Sequence, residues 1–156
     1  MAGSLSGRYG EAPLKVLTML VEFRGQGTAV ENSPGFSVSE AAGPVKSISL
    51  TQPADVWSEH PAGDVRMKTR VFTSEGRFWE SGEIIFPQLG SLVIDSPAPG
   101  TVHQRSDGSS YGSITWRVLS GSGRFEGVQG IVTGNFTGDP KGGFTDHQVY
   151  NLLLAP

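Results

Sequence analysis

The chain of 156 residues has no cysteine, which excludes a disulfide framework, a thiol nucleophile and any thiolate-bound metal. Positive charge is also scarce. Twelve Lys and Arg stand against fifteen Asp and Glu, a net charge of −3, so no basic field exists to attract nucleic acid, and none is expected as a partner. No apolar run approaches the ~18 residues of a membrane-spanning helix. The opening stretch MAGSLSGRYGEAP lacks the basic-then-apolar layout of a signal peptide. The expectation is a cytoplasmic protein without a membrane partner. An apolar stripe at period 3.6 is missing throughout, which argues against amphipathic helices.

What the chain does have is turn-forming residues, 22 Gly and 10 Pro, and alternation at period 2 almost everywhere. Its length suits one domain, divided into a flexible segment 1–13 and a single β domain over 14–156. Bounded by Gly, Pro, Asp and Ser, about eight strands are read at Leu14–Arg24, Val45–Thr51, Val65–Thr73, Arg77–Phe86, Ser91–Ile94, Ser113–Leu119, Val128–Thr137 and Thr145–Leu154. Gly25–Pro44, Gln52–Asp64 and Ser96–Ser110 are read as long loops, the kind that covers a binding site or a barrel mouth. Tight hairpin chemistry occurs at Phe72–Arg77 and a looser version at Gly138–Gly143. An even number of strands joined by short turns favours a closed antiparallel barrel, because closure removes exposed sheet edges. Eight strands leave a lumen for side chains or one small ligand.

Strand parity then selects the candidate site. On Arg77–Phe86 the face Phe78, Glu80, Gly82, Ile84, Phe86 is apolar apart from Glu80, while Arg77, Trp79, Ser81 and Glu83 look outward. A carboxyl among aromatics prefers its neutral form and can act as a general acid; pairing with an Arg across the sheet is the competing reading. On the first strand, Val16, Thr18, Leu20, Glu22 and Arg24 share one face, and Leu17, Met19, Val21 and Phe23 the other. With both faces largely apolar, this strand needs cover from a loop or a second subunit, so a homo-oligomer is expected. Trp116, on a face with Ile114 and Val118, reads as core or pocket wall. Tyr150 lies with Leu152 and Leu154, and its hydroxyl needs a partner if buried. Arg66, Lys68 and Arg70 read as a solvated strand face. His60, His103 and His147 lack metal-ligand spacing, so no metal is expected. Asp146 and His147, as neighbours on a strand, point to opposite faces and cannot pair catalytically.

The most distinctive segment is Ser120-Gly121-Ser122-Gly123-Arg124-Phe125-Glu126-Gly127-Val128-Gln129-Gly130-Ile131-Val132. Its glycines do not match a phosphate loop, since the segment leads into a strand and lacks the following Lys-Ser/Thr. It reads as a glycine-rich strand corner, and it resembles the corresponding corner of plant allene oxide cyclases. Its Gly-x-Gly-x-Phe part is similar to the same place in dirigent proteins. Arg70–Gly76 is similar to the hairpin of those families, and Leu20-Val21-Glu22-Phe23-Arg24 to their first strand, with Arg24 where the cyclases carry an amide. The resemblance implies an eight-stranded calycin-like barrel, a lumen for a small apolar molecule, and dimers or trimers. It also implies that Glu22 matches a pocket carboxylate. Bacterial enzymes that close spirotetronate and spirotetramate rings are similar in architecture.

Two functions follow as expectations: a cofactor-free isomerase or cyclase acting on a hydrophobic biosynthetic intermediate, or a barrel that binds a small apolar metabolite without chemistry. For the first, the expected catalytic groups are Glu22, Glu80 and Tyr150, and the expected binding groups are Arg24, Phe78, Ile84, Phe86 and Trp116. The pocket is expected between Gly25–Pro44 and Ser96–Ser110, with Glu22 or Glu80 projecting into it.

Overall fold

The computed structural model describes residues 15–50, 61 and 63–155. Segment 1–13 and most of Gln52–Asp64, with His60, lie outside the described residues. The protein is all-β. Among the described residues the ten strands are β1 (Lys15–Ala29), β2 (Phe36–Gly43), β3 (Val45–Leu50), β4 (Val65–Ser74), β5 (Arg77–Phe86), β6 (Gly90–Asp95), β7 (Gly100–Gln104), β8 (Ser110–Gly121), β9 (Gln129–Gly138) and β10 (Gly143–Leu154).

Eight of them close a ring, β1-β2-β4-β5-β6-β8-β9-β10, in which β10 returns to pair with β1 from Lys15↔Leu154 to Gln26↔Gly143. All pairings are antiparallel, and the arrangement is calycin-like. The two additional strands extend ring positions. β3 continues along β1 where β2 leaves it, pairing Leu17↔Leu50 through Val21↔Val45, and β7 fills the space between β5 and β8 beyond the end of β6.

Two regions read as loops are structured. Within Gly25–Pro44, β1 runs on to Ala29 and β2 returns against β4, forming a long hairpin. Ser96–Ser110 contains β7. Both strands are short in apolar residues because they border the barrel mouth, where alternation carries little signal. The turn at Glu75-Gly76, with φ of 53° and 74°, is the mirror-image type that matches strand twist in a two-residue hairpin.

The interior is filled by alternate side chains, among them Leu17, Met19, Val21 and Phe23 from β1, Ile84 and Phe86 from β5, and Val132 from β9, all at most 1% exposed. One end is plugged. The corner after β8 is more than a bend: it makes a 3₁₀ turn at Gly123–Phe125 that sends Phe125 into the barrel, fully buried. Its ring packs 4.9 Å from that of Phe86, which meets Tyr150 edge-on at 5.7 Å. Gly123 has φ of 62° and lies against Leu89, where a Cβ has no room, so this tight entry requires glycine.

Outer-face residues Val16, Thr18 and Leu20 of β1 are half-buried. Exposed apolar side chains include Leu153 of β10, beside Val16, and Ile85, Val93, Leu119 and Ile131 on successive ring strands β5, β6, β8 and β9. No helix among the described residues is long and apolar enough to cross a membrane.

Candidate functional site

The end opposite the Phe125 plug is open. It leads into a cavity of about 250 Å³ whose rim includes Ser39, Thr73, Gln104, Ser110 and the Gly138–Gly143 turn. That turn is held by Asp139, whose Oδ1 accepts hydrogen bonds from the backbone of Lys141 and Gly143. The walls are Phe78, Val102, Ile114, Phe136 and Phe144, with Phe78 and Phe136 meeting edge-on at 5.6 Å. Deeper in, Met67, Glu80, Trp116 and Asp146 complete the lining, and all four are buried.

Glu80 occupies the position that strand parity assigned to it. Its carboxyl accepts a 2.6 Å hydrogen bond from Thr69 Oγ1 on β4, and its backbone N–H donates to Ser96 Oγ. Burial raises its pKa from 4.5 to about 7; the Thr69 hydrogen bond works against that shift and the charge of Asp146 adds to it.

Asp146 is the second carboxyl of the site, raised from 3.8 to about 6, again mainly by burial, with the Gln148 hydrogen bond and the charge of His147 opposing. It ends a chain of side chains on the inward face of β10. The Tyr150 hydroxyl donates to Gln148 Oε1, and Gln148 Nε2 donates to Asp146 Oδ2 at 2.8 Å and to Met67 Sδ at 3.2 Å. Burial, together with the Asp146 charge, pushes the Tyr150 hydroxyl well above its usual pKa. The Gln148 amide stands between phenol and carboxylate and holds both in one orientation. It does not line the cavity.

Two buried polar atoms, Asp146 Oδ1 and Trp116 Nε1, have no hydrogen-bond partner among the described residues. Such orphans are rare and costly in a protein interior. Gly134 makes their placement possible: a Cβ there would stand 2.7 Å from the Trp116 ring and 3.0 Å from Asp146 Oδ1.

Of the residues expected at the site, Glu80, Phe78 and Trp116 come together around the cavity. Ile84 and Phe86 are buried on the same face of β5 but form the packed core between the cavity and the plug. Glu22 and Arg24 lie on the outer face of β1. The Glu22 carboxylate is 3.8 Å from His147 Nε2, 3.9 Å from Arg24 and 4.0 Å from Lys46, and the Arg24 side chain is 81% exposed. Inward Val21 and Phe23 fix that parity: Glu22 is bracketed by core residues on both sides, so its side chain must leave the lumen.

His103 is exposed and stacks on Tyr111 at 5.0 Å; His147 is exposed while its neighbour Asp146 is buried, as alternation requires. Asp146, Gln148 and Thr69 were not anticipated as site residues. Their signal was parity, since Phe144, Asp146, Gln148 and Tyr150 share one face with Leu152 and Leu154, and Thr69 shares one with Val65 and Met67. No protein-family model matches the chain, and no curated protein matches it.

Proposed function

We propose that this barrel is a cofactor-independent isomerase or cyclase of the allene oxide cyclase and dirigent-like kind, which folds a small hydrophobic biosynthetic intermediate in its cavity. The observation that carries this reading is the pair of buried carboxyls, Glu80 and Asp146, deep in a cavity walled by aromatic and aliphatic side chains, where burial raises both, to about 7 and about 6. Burial keeps protons on these carboxyls to higher pH than usual, so that near neutral pH the pair retains a proton to donate. Glu80 supplies a proton to a carbonyl oxygen or developing enolate and takes one back from the bound molecule as the product forms, while the Asp146 carboxylate holds the molecule by its polar end. The product then has the composition of the substrate, and no metal or cofactor is called on. The walls hold the flexible chain in one reactive conformation.

The test is incubation of purified protein with an apolar extract of the cells that make it, followed by chromatography and mass spectrometry. The expected result is a compound converted to a species of the same mass, about 10²–10⁴-fold more slowly by Glu80→Gln. A compound retained by the protein but never converted would replace this reading with that of a binding barrel, which the aromatic walls Phe78, Phe136 and Phe144 also suit.

The protein acts, in this reading, as a cytoplasmic homo-oligomer joined through the apolar side chains of Ile85, Val93, Leu119 and Ile131, which are 39–52% exposed on neighbouring strands.

A further inference from the structure

The cavity is unbalanced in charge. Glu80, Asp139 and Asp146 line it, whereas among the described residues its lining includes no lysine, arginine or histidine. Four aromatic rings, those of Phe78, Trp116, Phe136 and Phe144, face the same space. An anionic head group would meet carboxyls of its own sign in a medium of low dielectric. A cationic head would meet a carboxylate and the negative faces of aromatic rings.

The two orphan atoms narrow the choice. Asp146 is 5% and Trp116 1% exposed, and in each a polar atom stands without a partner: Asp146 Oδ1 needs a donor and Trp116 Nε1 an acceptor. The other carboxylate oxygen is already held by Gln148, so Oδ1 is fixed in place and not free to turn toward another residue.

We propose that the cavity binds an apolar molecule through a protonated amine seated on Asp146 Oδ1, with a carbonyl or hydroxyl of the same molecule accepting from Trp116 Nε1. This rests on reading the cavity as the ligand site and names the substrate class. It selects an amine-bearing intermediate over a fatty-acid anion of the same size.

The experiment compares 4-phenylbutylamine, 4-phenylbutanol and 4-phenylbutyrate, one apolar body with three heads, by calorimetry at pH 7.5. The amine is expected to bind at least ten-fold more tightly than the alcohol, and the carboxylate most weakly. In Asp146→Asn the advantage of the amine over the alcohol should shrink to within about three-fold while the melting temperature is kept.

A pH series on the unaltered protein decides the matter independently if that variant does not fold. Among the described residues the ionisable groups around Asp146 are Glu80 from β5, Asp139 at the mouth, and Tyr150 and outward His147 on its own strand; β1, β4, β8 and β9 present no ionisable side chain inward. The amine stays protonated throughout. Between pH 7.5 and pH 5 its affinity should fall about ten-fold as Asp146 takes up a proton, with the alcohol unchanged.

Equal binding of amine and carboxylate, or an amine advantage that survives both Asp146→Asn and pH 5, overturns the proposal. The probes are not turned over, so that outcome leaves the acid–base role of Glu80 to the conversion assay. Conversely, failed conversion with an intact amine preference removes the catalytic reading alone.

Discussion

Thr69 Oγ1 donates a 2.6 Å hydrogen bond to Glu80 Oε2 inside the barrel, from one inward position along β4 beyond Val71, the residue that faces Glu80 across the β4–β5 pair. This bond favours the ionised carboxyl and is the main force holding its pKa near 7 and not higher. Thr69→Val keeps the shape and removes the donor. Hydrogen bonds to charged groups contribute about 1.5–3 kcal/mol, so the Glu80 pKa should rise by about one to two units. The infrared band of a protonated carboxyl, persisting at pH 8 in the variant and fading in the parent, checks this; identical spectra would show that the bond has no such effect.

The same carboxyls set the pH dependence of stability. Folding lifts Glu80 from 4.5 to about 7 and Asp146 from 3.8 to about 6, so the folded protein holds protons that the unfolded chain gives up. Their stabilising contribution is full below about pH 4, is lost as pH rises through about 7, and is level beyond that. At roughly 1.4 kcal/mol per pKa unit, each site contributes on the order of 3 kcal/mol. Lowered Asp95 pulls the other way through Arg117, but it is solvent-screened. Calorimetry should show a melting temperature several degrees higher at pH 5.5 than at pH 8.5, and Glu80→Gln should flatten the difference. A melting temperature that climbs toward pH 8.5 would refute the burial of these groups.

Gly134→Ala is expected to disturb the site without touching its chemistry. The new methyl would press on the Trp116 ring and on Asp146 Oδ1, a local overpacking that costs about 1–3 kcal/mol, or roughly 2–4 °C per kcal/mol in a chain of this size. Binding of a cavity ligand should weaken more than tenfold, read by calorimetry. Unchanged binding would place the ligand away from the Trp116–Asp146 corner.

The plug is a separate matter of stability. Phe125→Ala removes a fully buried ring packed on Phe86 and should destabilise by about 3–5 kcal/mol, seen as a lower urea midpoint with unchanged slope. Little or no shift would mean that the barrel end closes by other contacts.

Much of this fold was legible in the sequence because most strands carry one apolar face. Arg77–Phe86 was read to the residue, and its inward Glu80 with it, since apolar residues flank that position on the same face. β2 and β7 were missed because their inward positions, Ser39, Ala41 and Gly43 on β2 and Gly100 and Val102 on β7, are mostly small residues that leave no strong apolar alternation. Glu22 illustrates the limit of resemblance: its motif matched a pocket carboxylate, yet Val21 and Phe23 already assign the inward face. Asp146 was hidden differently. It was weighed only against His147, whereas its inward neighbours are two residues away on either side, and the orphaned state of its Oδ1 depends on Trp116 and Gly134, brought near it only by the closed sheet.

The most direct test of the account is a pH titration of the Glu80 carboxyl carbon by NMR, assigned with the Glu80→Gln variant. The account expects a midpoint near 7, accompanied by a second transition near 6 that disappears in Asp146→Asn. A Glu80 midpoint near the ordinary 4.5 would contradict it, because a carboxylate fully ionised at neutral pH cannot be the buried acid on which the catalytic reading depends.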